Sequence, residues 1–214
     1  MEPMIENPVV IWNRDPAESP EAPLLVLFHG IGSNEQDLMG LVPGLPEDFV
    51  VASVRAPQTY GPGYAWYPLY TDDAFSDELV TAAIEPLIGW VREQAQGRPS
   101  TTVLGFSQGM SIATSLVRAM PGEIAAVIGL SGFALPQQLP IFHDEQLRES
   151  PFKLFWGRDP QDPVLNPELV EATAEWVLEH ADATKVHYQG MGHSVSAQEL
   201  RHVDEYLTKI VLGR

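Results

Sequence analysis

The chain contains no cysteine, few basic residues and no long apolar run. Without cysteine it can form neither a disulfide nor a thiolate metal site, and it cannot use a cysteine nucleophile. Its 29 acidic residues against 12 basic ones give a formal charge of −17. A field of that sign repels nucleic-acid phosphates and anionic membrane surfaces, so we expect neither as a partner.

Segments that target or anchor a protein are missing as well. No apolar run approaches the roughly 20 residues of a membrane span, so we expect no integral membrane association. Charged residues scattered through residues 1–22 interrupt any signal-peptide core, which makes a cytoplasmic location the default expectation. The length of 214 residues and the hydrophobic content of 44% predict one globular domain over residues 1–214.

Apolar runs alternate with segments of helical periodicity along the chain. Buried strands are predicted over residues 24–28, 49–54, 101–106, 124–130, 152–156 and 184–188, with a peripheral strand over residues 9–12. Helices are predicted over residues 76–96, 111–120 and 166–180. Capping-box patterns at residues 33–36 and 196–199 predict two more, which run to about residue 41 and about residue 211. This alternation predicts an α/β fold with a mostly parallel, doubly wound sheet.

One proline and two connections carry further predictions. Pro86 predicts a kink or an interruption in the helix over residues 76–96. Residues 57–72, rich in aromatic residues, glycine and proline, predict a long loop, and residues 131–151 show no helical period. The segment at residues 131–151 is too short to form a helical lid domain over the site, so we expect an open cleft.

Residues 105–109 (GFSQG) match the G-x-S-x-G pattern of a nucleophile elbow. In that motif a serine stands on a sharp turn between a buried strand and a helix. An apolar run precedes Ser107 and a helical segment follows it, and the flanking glycines avoid side chains that would crowd the turn. Ser107 is therefore the candidate nucleophile.

Two later loops could activate Ser107. A serine hydroxyl needs a neutral imidazole to take its proton, and the imidazole needs a carboxylate to orient it. His193 is the candidate base because it lies in a glycine-rich turn between the last predicted strand and a helix. Asp159 and Asp162 both follow the strand at residues 152–156; either could orient His193, and Asp162 is favoured. The chain order Ser, Asp, His is that of α/β-hydrolases.

Acyl transfer also needs hydrogen-bond donors aimed at the developing oxyanion. The backbone N–H of Gln108, directly after the nucleophile, is one donor by construction of the elbow. The second is expected from the glycine-rich turn after the strand at residues 24–28, where we assign it to Ile31; a purely structural turn is the alternative. His29, at the start of that turn, is interpreted as a structural hydrogen-bonding residue.

Aromatic residues on the loops at 57–72 and 131–151 could line an acyl groove or form a packed satellite core. The residues chosen as candidates for substrate contact are Trp66, Met110 and Phe133.

These segments resemble the phospholipase/carboxylesterase family of α/β-hydrolases, which includes the acyl-protein thioesterases. The resemblance runs from about Leu24 to Leu207 in family order, through FHGIGSNE (28–35), RAP (55–57), GYAW (63–66), GFSQGM (105–110), DPV (162–164) and GH (192–193). It implies hydrolysis of carboxylic esters or thioesters of small molecules without a cofactor or metal. It also implies Ser107, Asp162 and His193 as catalytic residues and an oxyanion hole from Ile31 and Gln108.

Several positions depart from the family pattern. Many members have a second glycine where this chain has Met110, whose bulk could narrow the acyl pocket, and many have histidine where it has Trp156. Asp162 lies five residues beyond Gly157, further than the usual turn, which keeps Asp159 open as the acid. The G-S-N-E turn at residues 32–35 favours a bacterial carboxylesterase over a protein depalmitoylase.

The leading hypothesis is a serine carboxylesterase that forms an acyl-enzyme. One alternative is a thioesterase or lysophospholipase that uses the same residues. Another is a non-catalytic binding protein on a hydrolase scaffold.

Overall fold

A seven-stranded sheet forms the centre of the chain in the computed structural model, which describes residues 7–72 and 74–214. Its strands are β1 (Val10–Trp12), β2 (Leu24–Phe28), β3 (Val50–Val54), β6 (Thr101–Phe106), β7 (Ala126–Leu130), β8 (Phe152–Arg158) and β9 (Ala181–His187). Their order is β1-β3-β2-β6-β7-β8-β9. Only the edge strand β1 is antiparallel to its neighbour; all other pairs in this sheet are parallel.

Helices cover both faces of this sheet. They are α1 (Asp77–Ala95), α2 (Gln108–Ala119), α3 (Asp144–Glu149), α4 (Pro167–His180) and α5 (Ala197–Tyr206), with 3₁₀ helices at Pro16–Glu18 and Asp37–Gly44 and a π-helical turn at Leu207–Val211. Alternate residues of β2 face two separate apolar clusters: Leu24 packs in the cluster of α1, α2 and α4, and Leu25 in the cluster of α5. Burial on both faces explains why β2 is apolar at every position.

The strand order reverses between β2 and β6. From β2 the chain runs to its neighbour β3 on one side, and β6 later pairs with the other side of β2. In doubly wound sheets, ligands bind outside the carboxyl ends of strands at such a switch point. The loops after β2 and β6, which carry the predicted oxyanion turn and Ser107, therefore meet at this edge of the sheet.

The predicted fold class is confirmed: the chain has an α/β fold with a mostly parallel, doubly wound sheet and helices on both faces. The connection between β7 and β8 contains the short helix α3, which the sequence did not predict, and its Leu147 is buried in the core. None of the helices in the described ranges is long and apolar enough to span a membrane.

Two local predictions were wrong, and one half of a third was. Residues 57–72 contain a hairpin of β4 (Gln58–Tyr60) and β5 (Gly63–Ala65). Of the two effects expected of Pro86, interruption does not occur, because α1 runs continuously through it. The capping box at residues 33–36 does not form, because the Ser33 hydroxyl donates to the Asp37 carboxylate and the Gln36 N–H donates to Asn34 Oδ1 instead. The segment that follows is a 3₁₀ helix.

Candidate active site

Ser107 stands on a strained turn between β6 and α2. Its backbone has φ +54° and ψ −121°, a conformation that costs a non-glycine residue on the order of 1–3 kcal/mol. The turn is fixed on one side by the Ser107 N–H, which donates to the Leu130 carbonyl at 2.9 Å. A Cβ at Gly105 would collide with the Gly109 backbone, so glycine is required where strand and helix cross. The result is a side chain held at the carboxyl edge of the sheet.

A continuous hydrogen-bonded chain links Ser107 to His193 and Asp162. His193 Nε2 lies 3.0 Å from Ser107 Oγ, and His193 Nδ1 lies 2.7 Å from Asp162 Oδ2. Because a carboxylate can only accept, Nδ1 carries the proton and Nε2 is left to accept from the serine hydroxyl. The His193 side chain is 17% exposed and packs against the Phe106 ring at 5.1 Å between ring centroids.

The two candidate acids have different partners. Asp162 contacts the imidazole through Oδ2, while its Oδ1 accepts the backbone N–H of Val164 at 2.8 Å. Asp159 does not contact the ring; its Oδ2 accepts the backbone N–H of Gly192 at 2.7 Å, directly before His193. Backbone N–H groups, that of Gly192 first, hold the pKa of Asp159 below its usual range. Asp162 therefore orients the imidazole, and Asp159 anchors the loop that carries it.

The turn after β2 lies directly against the nucleophile. A Cβ built on Gly30 would be 3.3 Å from Ser107 Cβ and 3.2 Å from the Phe106 ring, closer than ordinary carbon–carbon contact, so glycine lets the turn approach this closely without displacing either neighbour. Ile31 follows in the same turn. Gln108 is the first residue of α2, and the N–H groups of a first helical turn have no intrahelical acceptor. Both predicted oxyanion donors thus belong to backbone segments that adjoin Ser107.

His29, at the start of this turn, has the contacts of a structural residue. Its side chain is fully buried, its Nδ1–H donates to the Gly30 carbonyl at 2.7 Å, and its Nε2 accepts the Ala56 N–H at 3.1 Å. Burial lowers the pKa of His29, which favours the neutral ring that these two bonds require.

The three residues predicted to contact substrate are buried. Trp66 and Met110 have no exposed surface and Phe133 is 3% exposed. Met110 packs against Gly129 and Gly132, where a Cβ on either glycine would collide with it. All three lie in the apolar cluster that β2 shares with α2. Their contact with substrate stays a prediction.

Sequence reasoning missed the side chain of Gln108. We identified this residue for its backbone N–H, but its amide also bonds to the main chain at Trp66 and Tyr67. Those partners are 42 and 41 positions away along the chain, so no local pattern could have indicated the contact.

Sequence reasoning also missed Glu199, which lies on α5 behind the acid loop. Ser196 caps this helix by accepting the Glu199 N–H at 3.1 Å, which forms one half of the predicted capping box. The Glu199 carboxyl instead turns toward the sheet, where it fills the space beside Gly157 and is fully buried. Neither carboxyl oxygen has a hydrogen-bond partner within the described residues, and burial raises the pKa of Glu199 to about 7.

Comparisons with known proteins agree with this architecture. Esterase YpfH of Escherichia coli (strain K12) is 27% identical over 207 residues, which cover 89% of this chain and 85% of that protein. Acyl-protein thioesterase 1 of Kluyveromyces lactis is 22% identical over 213 residues, covering 89% and 92%. A Bacillus cereus carboxylesterase structure matches with a TM-score of 0.76 at 20% identity, covering 94% of this chain and 93% of its own.

A family model described as phospholipase/carboxylesterase matches residues 9–211. Since that match spans almost the whole sequence and agrees with the observed fold, the chain belongs to the phospholipase/carboxylesterase family and is a carboxylic ester hydrolase.

Proposed function

We propose that this chain is a serine carboxylesterase that hydrolyses small-molecule esters through an acyl-enzyme. Ser107 is the nucleophile, His193 the general base and Asp162 the acid that orients it. The observation that carries the proposal is the hydrogen-bonded chain from Ser107 Oγ to His193 at 3.0 Å and on to Asp162 at 2.7 Å. That serine stands on a strained backbone at the carboxyl edge of the sheet, as the elbow motif requires.

In the first half of the reaction, Ser107 Oγ attacks the ester carbonyl carbon while His193 Nε2 takes the hydroxyl proton. The backbone N–H groups of Ile31 and Gln108 stabilise the negative charge that develops on the carbonyl oxygen. The bond from carbon to the alcohol oxygen then breaks, and the alcohol leaves with the proton that His193 returns.

The second half repeats these steps with water. His193 Nε2 takes a proton from a water molecule, whose oxygen attacks the acyl carbon. Collapse of the second tetrahedral intermediate releases the carboxylic acid and returns the proton to Ser107 Oγ. Throughout, the Asp162 carboxylate holds the ring in the tautomer that has Nε2 free and stabilises the imidazolium.

Hydrolysis of short-chain p-nitrophenyl esters tests this proposal. We expect the Ser107→Ala variant to lose activity by a factor on the order of 10⁴ or more, because it has no nucleophile. A fluorophosphonate probe should label the unaltered protein at Ser107 and leave the variant unlabelled. An unchanged rate in the variant would rule out the mechanism, and failure of labelling would favour a non-catalytic binding protein.

A second candidate function is hydrolysis of thioesters or of longer acyl chains by the same residues. It is supported by the relative from Kluyveromyces lactis whose name is acyl-protein thioesterase 1. Matched oxygen esters and thioesters with acyl chains of increasing length separate the two. A steep preference for long chains or thioesters would favour this candidate, and a preference for short oxygen esters the carboxylesterase.

A further inference from the structure

The side chain of Gln108 joins two segments of the site. Its Oε1 accepts the backbone N–H of Trp66 at 3.0 Å, and its Nε2 donates to the backbone carbonyl of Tyr67 at 2.7 Å. The amide is fully buried and uses its acceptor and its donor on neighbouring peptide groups. A flipped amide would face donor with donor and acceptor with acceptor, so this buried side chain has a single satisfied orientation.

Trp66 extends the connection to the turn after β2. Its indole N–H donates to the His29 carbonyl at 2.9 Å, and its ring packs edge-on against Phe28 at 5.4 Å. The His29 carbonyl directly precedes Gly30 and Ile31, so this bond fixes the start of the turn. The side chain of Gln108 is therefore connected through Trp66 to the start of the turn that carries the other proposed donor, Ile31.

The hairpin that precedes Trp66 holds the far end of the same turn. The Gly32 N–H donates to the Tyr64 carbonyl and the Tyr64 N–H donates to the Ser33 carbonyl, both at 2.8 Å. A Cβ at Gly63 would collide with the Gly32 carbonyl, so the two segments approach as closely as backbones can. Ile31 lies between these two attachment points.

We propose that Trp66 and the Gln108 side chain are positioning residues that set the distance between the backbone N–H groups of Ile31 and Gln108. The inference rests on the proposed function, in which these two groups stabilise the oxyanion. Such stabilisation requires donors at about 2.7–3.1 Å from the place the oxyanion will occupy, so a small displacement of Ile31 is enough to weaken it. The loss falls on the transition state and not on the bound ester, and it lowers kcat with little change in KM.

The Trp66→Phe variant tests this positioning role, because it keeps an aromatic ring in the core and removes the indole N–H. We expect kcat to fall about 10-fold, less than the 10²–10³-fold for removing an oxyanion donor outright. The matched control is Trp90→Phe, which makes the same change at a buried tryptophan of α1 that packs against Trp12. The control should lose stability without losing kcat.

A second readout separates positioning from a general loss of packing. A trifluoromethyl ketone forms a tetrahedral adduct with a catalytic serine and places an oxyanion in the hole, so its inhibition constant should rise by the same factor as kcat falls. Gln108→Met, which keeps the backbone N–H and removes both amide bonds, should act in the same way. Since both side chains belong to one connection, the double variant should lose little more than the worse single variant.

Melting temperatures are measured first, and all assays are run well below the lowest of them. Wild-type kcat and inhibitor affinity in either folded variant would overturn the positioning role, as would an equal loss in Trp90→Phe. Absence of Ser107-dependent turnover in the unaltered protein would instead refute the proposed function itself.

Discussion

The donor side of the site (residues 29–33, Trp66 and Gln108) is anchored in the core, whereas its base side (residues 159–162 and 190–196) lies on surface loops. On the donor side, the side chains of His29, Trp66 and Gln108 have no exposed surface. On the base side the Asp159 and Asp162 carboxylates are buried as well, but the His193 side chain that they position is 17% exposed and Ser194 beside it is exposed. The two sides thus differ in how far the body of the protein restrains them.

Hydrogen bonds also restrain the donor side more than the base side. The donor side is fixed by main-chain contacts between the 30–33 turn and the segment from Tyr64 to Trp66, together with the Gln108 amide. The histidine loop is tied by single side chains: Asp159 accepts the Gly192 N–H, and the Ser131 hydroxyl donates to the Ser194 carbonyl at 3.1 Å. Oxyanion donors work by being held in place before charge develops, whereas the base exchanges a proton between two partners. The difference in restraint matches these two tasks.

The largest expected effect comes from breaking the base side at Asp162. The Asp162→Asn variant should lower kcat by a factor of about 10⁴, because an amide can stabilise the wrong tautomer of His193 and carries no charge for the imidazolium. Asp159→Asn should lower kcat only a few-fold, since an amide oxygen can still accept the Gly192 N–H. Steady-state kinetics of both variants on one ester decide the assignment; collapse of turnover in Asp159→Asn alone would reverse it.

A smaller effect is expected from crowding the donor side at Gly30. The added Cβ of Gly30→Ala would be 3.2 Å from Phe106 and 3.3 Å from Ser107, inside ordinary carbon–carbon contact, so the turn or Ser107 and Phe106 must move by a few tenths of an ångström. We expect kcat to fall roughly 10-fold with KM nearly constant. Gly40→Ala is the matched control, because a Cβ at Gly40 meets nothing within 4 Å. Equal kcat in both variants would show that the donor side tolerates displacement, and that its stronger restraint does not matter for turnover.

The residues that local patterns could identify lie on loops that follow strands. Ser107, Asp162 and His193 each follow one, and parallel strands bring their carboxyl ends to one edge, so chain order was enough to expect them together. The choice between Asp159 and Asp162 was not decidable in this way. Both are short carboxylates that accept backbone N–H groups in a turn, and only the fold places one at the imidazole.

Contacts between segments that are far apart in the chain could not be predicted from local sequence patterns, for a different reason. The bonds of Gln108 to residues 66–67 depend on how the β4–β5 hairpin lies on α2, and that hairpin was itself predicted as a loop. Glu199 matched a capping box, yet only the Ser196 half forms, because the carboxyl packs beside Gly157. The local pattern correctly predicted where helix α5 starts. Packing between distant segments determines where the Glu199 side chain points.

The smallest expected effect on turnover comes from Glu199, whose carboxyl packs beside Gly157, near the end of the strand that leads into the base side. Every buried polar side chain that holds the donor turn has a partner, whereas this carboxyl has none within the described residues. With a pKa raised from 4.5 to about 7, it is protonated in the folded protein at a pH where the unfolded chain has lost the proton. The folded state then binds more protons than the unfolded state, so this residue makes stability fall as pH rises from about 4.5 to about 7.

Replacing the acid by its neutral amide removes that dependence. Relative to the unaltered protein, Glu199→Gln should leave the free energy of unfolding similar at pH 4.5 and increase it at pH 8 by up to about 3 kcal/mol, with kcat little changed. Glu205→Gln makes the same change at an exposed position of α5, where Glu205 pairs with Lys209, and should give no such slope. Denaturant titrations of the three proteins at both pH values measure the difference. If Glu199→Gln tracked the unaltered protein at pH 8, the carboxyl would have to be stabilised as an anion, and the base side would be as fully satisfied as the donor side.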